Sequence, residues 1–441
     1  HPLMGESAVD YEARVMKEMW PPDGPVKDKI IGEQSAKKVE RARRKTRWMN
    51  WQLTEQMTGC RPDFEQGFSQ QPIGGVFYMQ AAWDEQFKRP AQKVIYADEM
   101  ILPYAASDYL SAQRRTYVDK ITDATFRQRI ASGMYRDVED GDFTKLEPDA
   151  LPELTRTAKA NEKIEGKQPT AYNEDGIRET YMISLLRDIE DEGETRPYIV
   201  YLDEYTKEIL GIYRNWEPDD ETFAEIEHIV EFPFIPWRGA YPIGLTQLIG
   251  SLSGAATCAL RALMDSALLQ VIPTLLKLKA PGTRGGQSIQ LEPTEMKEVE
   301  GSLGTDDIRK TMMAIPFNPP SPVLFQLLGF LVDAGKGVVR TTLDEVADAG
   351  KDVPVGTMLV RQEEGMKVFS AIFGRQHAAM ARFLRIIHRL NKKHLTKDMV
   401  MQAVGEPMVM PEDFDSPDDI VPVSDPHIFS EAQRFAQMQA I

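Results

Sequence analysis

The sequence predicts an α+β protein that is mainly helical, and three observations carry that prediction. Apolar residues recur at three- and four-residue steps through 244–278, 323–346 and 357–390, the period of amphipathic helices. The runs "AQKVIYADEMILP" (91–103) and "RPYIVYLDEYTKEILGIYR" (196–214) change period and read as β-rich, the second folded around a polar turn at 203–207. Apolar residues at 42% and charged residues at 27% match folded proteins rather than disordered ones. A chain of 441 residues can hold two or three domains, each with a core.

Residues 8–60 read as helical. Within them "AKKVERARRKTRW" gathers Lys37, Lys38, Arg41, Arg43, Arg44, Lys45 and Arg47 into one basic patch. Two readings stay open: a solvated helix face, or a dock for an acidic neighbour such as another copy of this chain. The acidic stretches at 136–153 and 215–227 read as loops. Glu139, Asp140 and Asp142 lack the twelve-residue ligand spacing of a calcium loop and read as a solvated turn.

Prolines punctuate "EFPFIPWRGAYPIG" (231–244), and a different architecture follows. Residues 244–278 form a helix on which Leu245, Leu248, Leu252, Ala256, Ala259, Leu263 and Ala267 share a stripe, with Pro273 kinking or ending it. Gly250 and Gly254, four apart, allow a second helix backbone to come close. The glycine- and proline-rich stretch 280–322 reads as an excursion of short strands and turns, with one helix near 293–300. A helix at 323–346 returns from it. Gly350, Pro354 and Gly356 make 347–357 a loop, and Thr357 is the expected N-cap of the next helix.

That helix carries Leu359, Met366, Phe369, Phe373, Met380, Phe383, Leu384, Ile387 and Leu390 on one stripe, interrupted by Gln362 and Gln376. Arg375, Arg382, Arg385, Arg389 and Lys393 fall opposite. From Thr357 to Leu390 it would measure roughly 50 Å, which suggests a bundle, a coil or a repeated assembly.

Three segments, "FIPWRGAYPIGLTQLIGSL", "VIPTLLKLKAPG" and "VPVGTMLVRQEEGMKVFSAIFGRQHAAMARFLRIIHRL", together with this order of elements, resemble the portal proteins of tailed bacteriophages, podoviral portals above all. The resemblance covers about 233–395. It implies a portal fold: a wing at 1–238, stem helices at 239–279 and 323–346, a clip at 280–322, a tunnel loop at 347–357, and wing or crown-side helices at 358–441. It further implies a ring, usually of twelve copies, in the virion at one capsid vertex, assembled in the host cytoplasm. Double-stranded DNA would pass through the ring without sequence specificity. The partners implied are a terminase ATPase, a head-to-tail adaptor, and capsid and scaffolding proteins.

Carried onto this sequence, the resemblance places Lys336, Arg340, Lys351, Asp352, Val353 and Pro354 toward the DNA channel. Arg284, Glu295, Lys297, Arg309 and Lys310 fall in the clip that meets the adaptor. Gly250, Gly254, Met366, Phe369, Phe373 and Met380 are the candidates for packing between subunits. Intersubunit salt bridges are an equal reading of Lys336, Arg340, Lys351 and Arg284. The net charge of −16 fits a conduit, since an acidic wall repels phosphate, and argues against a protein that wraps nucleic acid in a basic groove.

No catalytic signature competes. In "GFLVDAGKG", Gly329 stands six before Gly335 where a phosphate loop needs five, and Gly337 replaces the hydroxyl residue. His377, His388 and His394 are spaced eleven and six apart, which puts no metal-binding pair on one turn, so they read as packing or surface histidines. No cofactor is expected. Cys60 and Cys258 read as plain buried thiols in a reducing compartment. The uncharged run 239–260 is long enough to span a bilayer, yet Pro242 and its glycines, serines and threonines weaken that reading. A membrane-associated pore or scaffold using 239–278, and a hydrolase with an undetected acidic site, are the alternatives in other classes. There is no secretory signal pattern at the start. His1 in place of methionine, and a helical spacing begun by Phe435, Met438 and Ile441, lead us to expect that either end has been trimmed.

Overall fold

The computed structural model describes residues 3–22, 24–28, 35–136, 177–189, 193–204, 206–271, 275–277, 312–314, 322–339, 355–405, 408–415 and 420–422. The chain is α+β and divides into two compact units, 8–245 with 366–441, and 1–7 with 246–365.

In the larger unit, α1 (Leu3–Met19) buries Tyr11, Val15 and Met19, four apart on one face. The helical reading of 8–60 breaks here. Pro21, Pro22, Gly24 and Pro25 cannot continue a helix, and β1 (Val26–Asp28) follows, paired antiparallel with β12 (Ile420–Pro422). Helix α2 (Ala36–Trp51) starts at Ser35, whose hydroxyl accepts the Lys38 N–H at 3.3 Å. It runs through a π-helical turn (Gln52–Gln56) toward α3 (Cys60–Gly74), which ends at left-handed Gly75.

Two antiparallel sheets follow. β2 (Val76–Asp84), β3 (Arg89–Tyr96) and β9 (Ile229–Pro233) make one, in the order β3-β2-β9. β4 (Met100–Ile101), β5 (Arg114–Ile121), β6 (Arg178–Arg187), β7 (Arg196–Asp203) and β8 (Ile209–Arg214) make the other, in chain order; α4 (Asp123–Ala131) follows β5. β2 is buried on both faces. Its Phe77 meets Phe68 and Phe232, with ring centroids at 5.2 and 4.7 Å, in an aromatic core with Phe64 and Phe383. Val76 and Tyr78, on the opposite face, pack with Ile95, Met100, Tyr117, Met182 and Ile199 of both sheets. The three-stranded sheet therefore lies between helices and the larger sheet.

In the other unit, α5 (Leu245–Val271) ends two residues before Pro273, as the proline requires. β10 (Leu275–Lys277) pairs antiparallel with β11 (Met312–Ala314), Leu275 facing Ala314. The two ends of the excursion thus meet. Helix α6 (Pro322–Val339) leads away; the helix read near 293–300 lies outside the described residues.

Helix α7 (Val355–His394) has 40 residues, about 60 Å at 1.5 Å per residue, and crosses the division at 365/366. It begins before Thr357, which is not its N-cap. One glycine in the first turn costs only about 1 kcal/mol, too little to stop a helix of this length. Helix α8 (Lys397–Val404) starts at Thr396, whose hydroxyl accepts the Met399 N–H at 3.4 Å.

Candidate functional site

The smaller unit presents apolar side chains to solvent on α5 and α6. On α6, Val323 (70% exposed), Leu327 and Phe330 (68%) share a stripe when each residue is turned by 100°, and Phe325 (69%) projects from the opposite side. A helix uncovered on two opposed sides has room for two neighbours. On α5, Leu245, Ile249, Ala256 and Ala259 form the buried stripe, while Met264 (58%) and Leu268 (55%) are exposed on the far side.

Gly250 and Gly254 lie on that far side as well. A Cβ on Gly254 would meet nothing within 4 Å, and one on Gly250 only its own helix's Thr246 methyl at 3.8 Å. No described neighbour in the chain uses their close-approach surface. Cys258 is exposed on the same helix, which corrects its reading as a buried thiol; Cys60 is buried, and burial pushes its pKa up.

The described part of α7 is anchored in the larger unit. Ile372, Ala379, Met380, Phe383, Leu384, Ile387 and Leu390 are buried there. Gln376, the polar interruption in the stripe, is fully buried, accepts from Gln71 Nε2 at 2.9 Å and donates to the Pro233 carbonyl at 2.8 Å. Three of the five cations opposite are engaged too, while Arg385 and Lys393 are exposed. Arg375 donates to the Phe234 carbonyl at 2.7 Å, Arg382 pairs with Glu227, and Arg389 donates to the Glu227 carbonyl. The helix is thereby laid along the 227–234 backbone.

Charge is unusually confined along that backbone. Burial pushes Glu231 up to about 7, against the pull of Arg382, with Asp108 adding to the rise. Burial, with Arg389 and Lys393, drives His228 down to about 4, and its Nε2 lies 3.0 Å from Asn215 Oδ1.

The basic run of α2 divides between the two roles open to it. Lys37, Lys38, Arg43 and Arg47 are exposed. Lys45 is fully buried, and Arg44 makes a two-pronged pair with Asp413 at 2.7 and 2.9 Å. An acidic neighbour does dock on this helix: the 3-10 turn Pro411–Asp415 of the same chain.

Of the subunit-packing candidates, Gly250 and Gly254 are open, Phe373 is partly buried with its ring 6.5 Å from Tyr11, and Met380 is 1% exposed inside its own chain. Met366 and Phe369 lie on α7 and Lys336 on α6; nothing further is described for them. Arg340, Lys351, Asp352, Val353, Pro354, Arg284, Glu295, Lys297, Arg309 and Lys310 lie outside the described residues, as do Glu139, Asp140 and Asp142. Of the three histidines, His388 packs 5.1 Å from Phe414 and His394 stacks 4.8 Å from Trp83. His377 is buried, its Nε2 3.4 Å from Glu18. Among the described residues no cluster of three histidine, cysteine or acidic side chains could hold a metal ion. Nor, among them, is any helix long and apolar enough to cross a membrane.

Sequence reasoning missed the Gln71–Gln376 and Gln52–Asn391 contacts that seat α7, the second being a reciprocal pair at 2.7 and 3.1 Å. The signal was present in part: a glutamine at a stripe position marks either a fault in the stripe or a buried partner. Comparison with known proteins finds no family model that matches the chain and no match among curated proteins.

Proposed function

We propose that this chain is the subunit of a portal ring of the tailed-bacteriophage type. The ring is a structural conduit for double-stranded DNA during packaging and ejection, with no chemistry of its own. One observation carries the reading: a helix, a strand-closed excursion and a second helix whose apolar residues face outward on opposed sides. A chain with two such sides gains by standing between identical neighbours, and head-to-tail contacts of that kind close into a ring when the rotation allows. The strongly acidic balance suits a channel that DNA must traverse without sticking.

On this reading α5 and α6 are the stem, and β10 and β11 open the clip that meets a terminase ATPase and later a head-to-tail adaptor. The test is negative-stain imaging of purified protein without detergent, alongside Phe330→Glu and Met264→Glu. Wild type gives rings with a central hole, and the two variants give single subunits with unchanged circular dichroism. Wild-type particles without a hole, or rings indifferent to both substitutions, refute the proposal.

A further inference from the structure

Four exposed cations of α2, Lys37, Lys38, Arg43 and Arg47, have side chains that meet no acid among the described residues. When each residue is turned by 100°, Arg43 and Arg47 stand opposite the buried Ala42, Lys45 and Met49, so they head the outer face of the helix. Glu40 shares that face and is committed to Arg44 at 3.4 Å. Lys37 and Lys38 sit in the first turn, which holds no acidic residue. Cations there oppose the helix macrodipole, and a negative group brought to that end relieves the cost. In a chain of charge −16 the outer face of α2 is a cationic surface that the described chain leaves uncovered.

Its complement stands on the same chain. Residues 215–226, which follow β8, form a closed loop. The Ile226 N–H donates to the Asn215 carbonyl at 3.0 Å at its neck, and the Trp216 and Phe223 rings meet edge to face at 5.6 Å across it. Asp220 fixes the tip, its carboxylate accepting the Thr222 and Ala224 N–H groups at 2.9 and 3.0 Å. Asp219 and Glu221 flank Asp220, both exposed and with no cation against them among the described residues. The loop carries Glu217 and Glu225 as well and no lysine, arginine or histidine. Glu225 is spent on Arg115. The tip is therefore a preformed acidic knuckle.

We propose that the outer face of α2 receives the acidic tip of the 215–226 loop of a second copy of this chain. Arg43 and Arg47 meet Asp219 and Glu221, and Lys37 and Lys38 add attraction at longer range. The inference rests on the ring reading and extends it, since a patch and a different complement on one chain join copies head to tail, the kind of contact that closes into a ring. A tip already held by Asp220 presents its carboxylates without a further cost of ordering. Duplex DNA fits less well, because Glu40 stands within the stripe and a chain of charge −16 repels phosphate beyond it.

The test is charge exchange in the full chain, read by sedimentation velocity over a range of protein concentrations, with circular dichroism to check the fold. One variant carries Arg43→Glu with Arg47→Glu, a second Asp219→Lys with Glu221→Lys, and a third all four; Asp220 stays in place to hold the loop. The expected result is wild-type association that weakens with salt, and a concentration for half-assembly raised at least about tenfold in each of the first two variants. The third returns to near the wild-type value, as does an equimolar mixture of the first two, in which every unlike contact is again complementary. A wild type that stays a single chain, assembly indifferent to both reversals, or a third variant no better than the first two overturns the proposal. Duplex DNA binding that Arg43→Glu with Arg47→Glu abolishes, while assembly is unchanged, also overturns it by making the face a phosphate site. Rings that persist through both reversals remove this contact and leave the ring reading standing; exchange-restored association in particles without a central hole keeps the contact and removes the ring.

Discussion

Glu231 and His228 titrate in opposite senses on one short stretch of backbone. Glu231 is raised from an ordinary 4.5 to about 7, so across that window the folded chain keeps a proton that the unfolded chain releases, and stability falls as pH rises. His228 is lowered from 6.5 to about 4, so there the unfolded chain holds the extra proton, and stability rises with pH. Between 4.5 and 6.5 the two slopes oppose each other. Urea unfolding of Glu231→Gln should therefore show stability climbing over pH 4.5–6.5 where the wild type is nearly level. At pH 8 the variant should be more stable by about 1–2 kcal/mol, after discounting for partial exposure. His228→Asn should show the reverse slope. Identical pH profiles for all three proteins would contradict the assignment.

Asp413 provides a second test at this scale. Burial alone would raise its pKa, but hydrogen bonds from Arg44 and the Met410 N–H outweigh that and hold it below its ordinary 3.8. Its contribution is present above that value and is lost as pH falls below it. Asp413→Asn should cost about 2 kcal/mol at pH 7, measured by urea unfolding, and a smaller amount at pH 3. The basic run on α2 was legible as a run, but its division was not. Which of seven cations meets Asp413 depends on a turn more than 360 residues away in sequence.

Among the elements, two glycines fix the join between α3 and the segment before α5. Gly75 has φ +88°, and a Cβ on it would stand 2.5 Å from the Pro242 carbonyl oxygen; one on Gly244 would stand 2.5 Å from that of Pro72. Both obstacles are backbone and cannot move aside cheaply. Gly75→Ala and Gly244→Ala should each cost about 2–4 kcal/mol in urea unfolding, from overpacking and, at Gly75, from left-handed backbone. Gly254→Ala should behave otherwise. It fills open space on a helix and should stabilise the single chain by about 0.5–1 kcal/mol while loosening any assembly that uses the close approach. A gain in both would remove Gly254 from the interface.

The same scale shows what the sequence could and could not reveal. β7 and β8 were legible because both strands and their turn are contiguous, with Asp203 Oδ2 accepting the Thr206 N–H at 2.9 Å. The end of α5 was legible from Pro273. β2 was not, because burial on both faces erases the two-residue alternation that marks a half-buried strand. β5 and β6 pair Tyr117 with Met182 across a long separation, and no local pattern announces such a partner. The long helix was legible in its period, but the fate of its basic side was not: Arg382 pairs with the Glu227 carboxylate and Arg389 donates to the Glu227 carbonyl.

For the whole molecule, a conduit with a charge of −16 per chain should bind duplex DNA weakly and without sequence preference. Anisotropy titrations should lose what binding there is between 50 and 200 mM salt, conditions over which phosphate contacts weaken steeply. Tight, sequence-specific binding at physiological salt would contradict the conduit.

The most direct test of the account is the mass of the detergent-free protein, measured by sedimentation velocity and native mass spectrometry. The account predicts one dominant species at a high integer multiple of 49.9 kDa, reduced to single chains by Phe330→Glu. A wild-type protein that stays at 49.9 kDa at micromolar concentration, with Phe325 and Phe330 left to solvent, would contradict it.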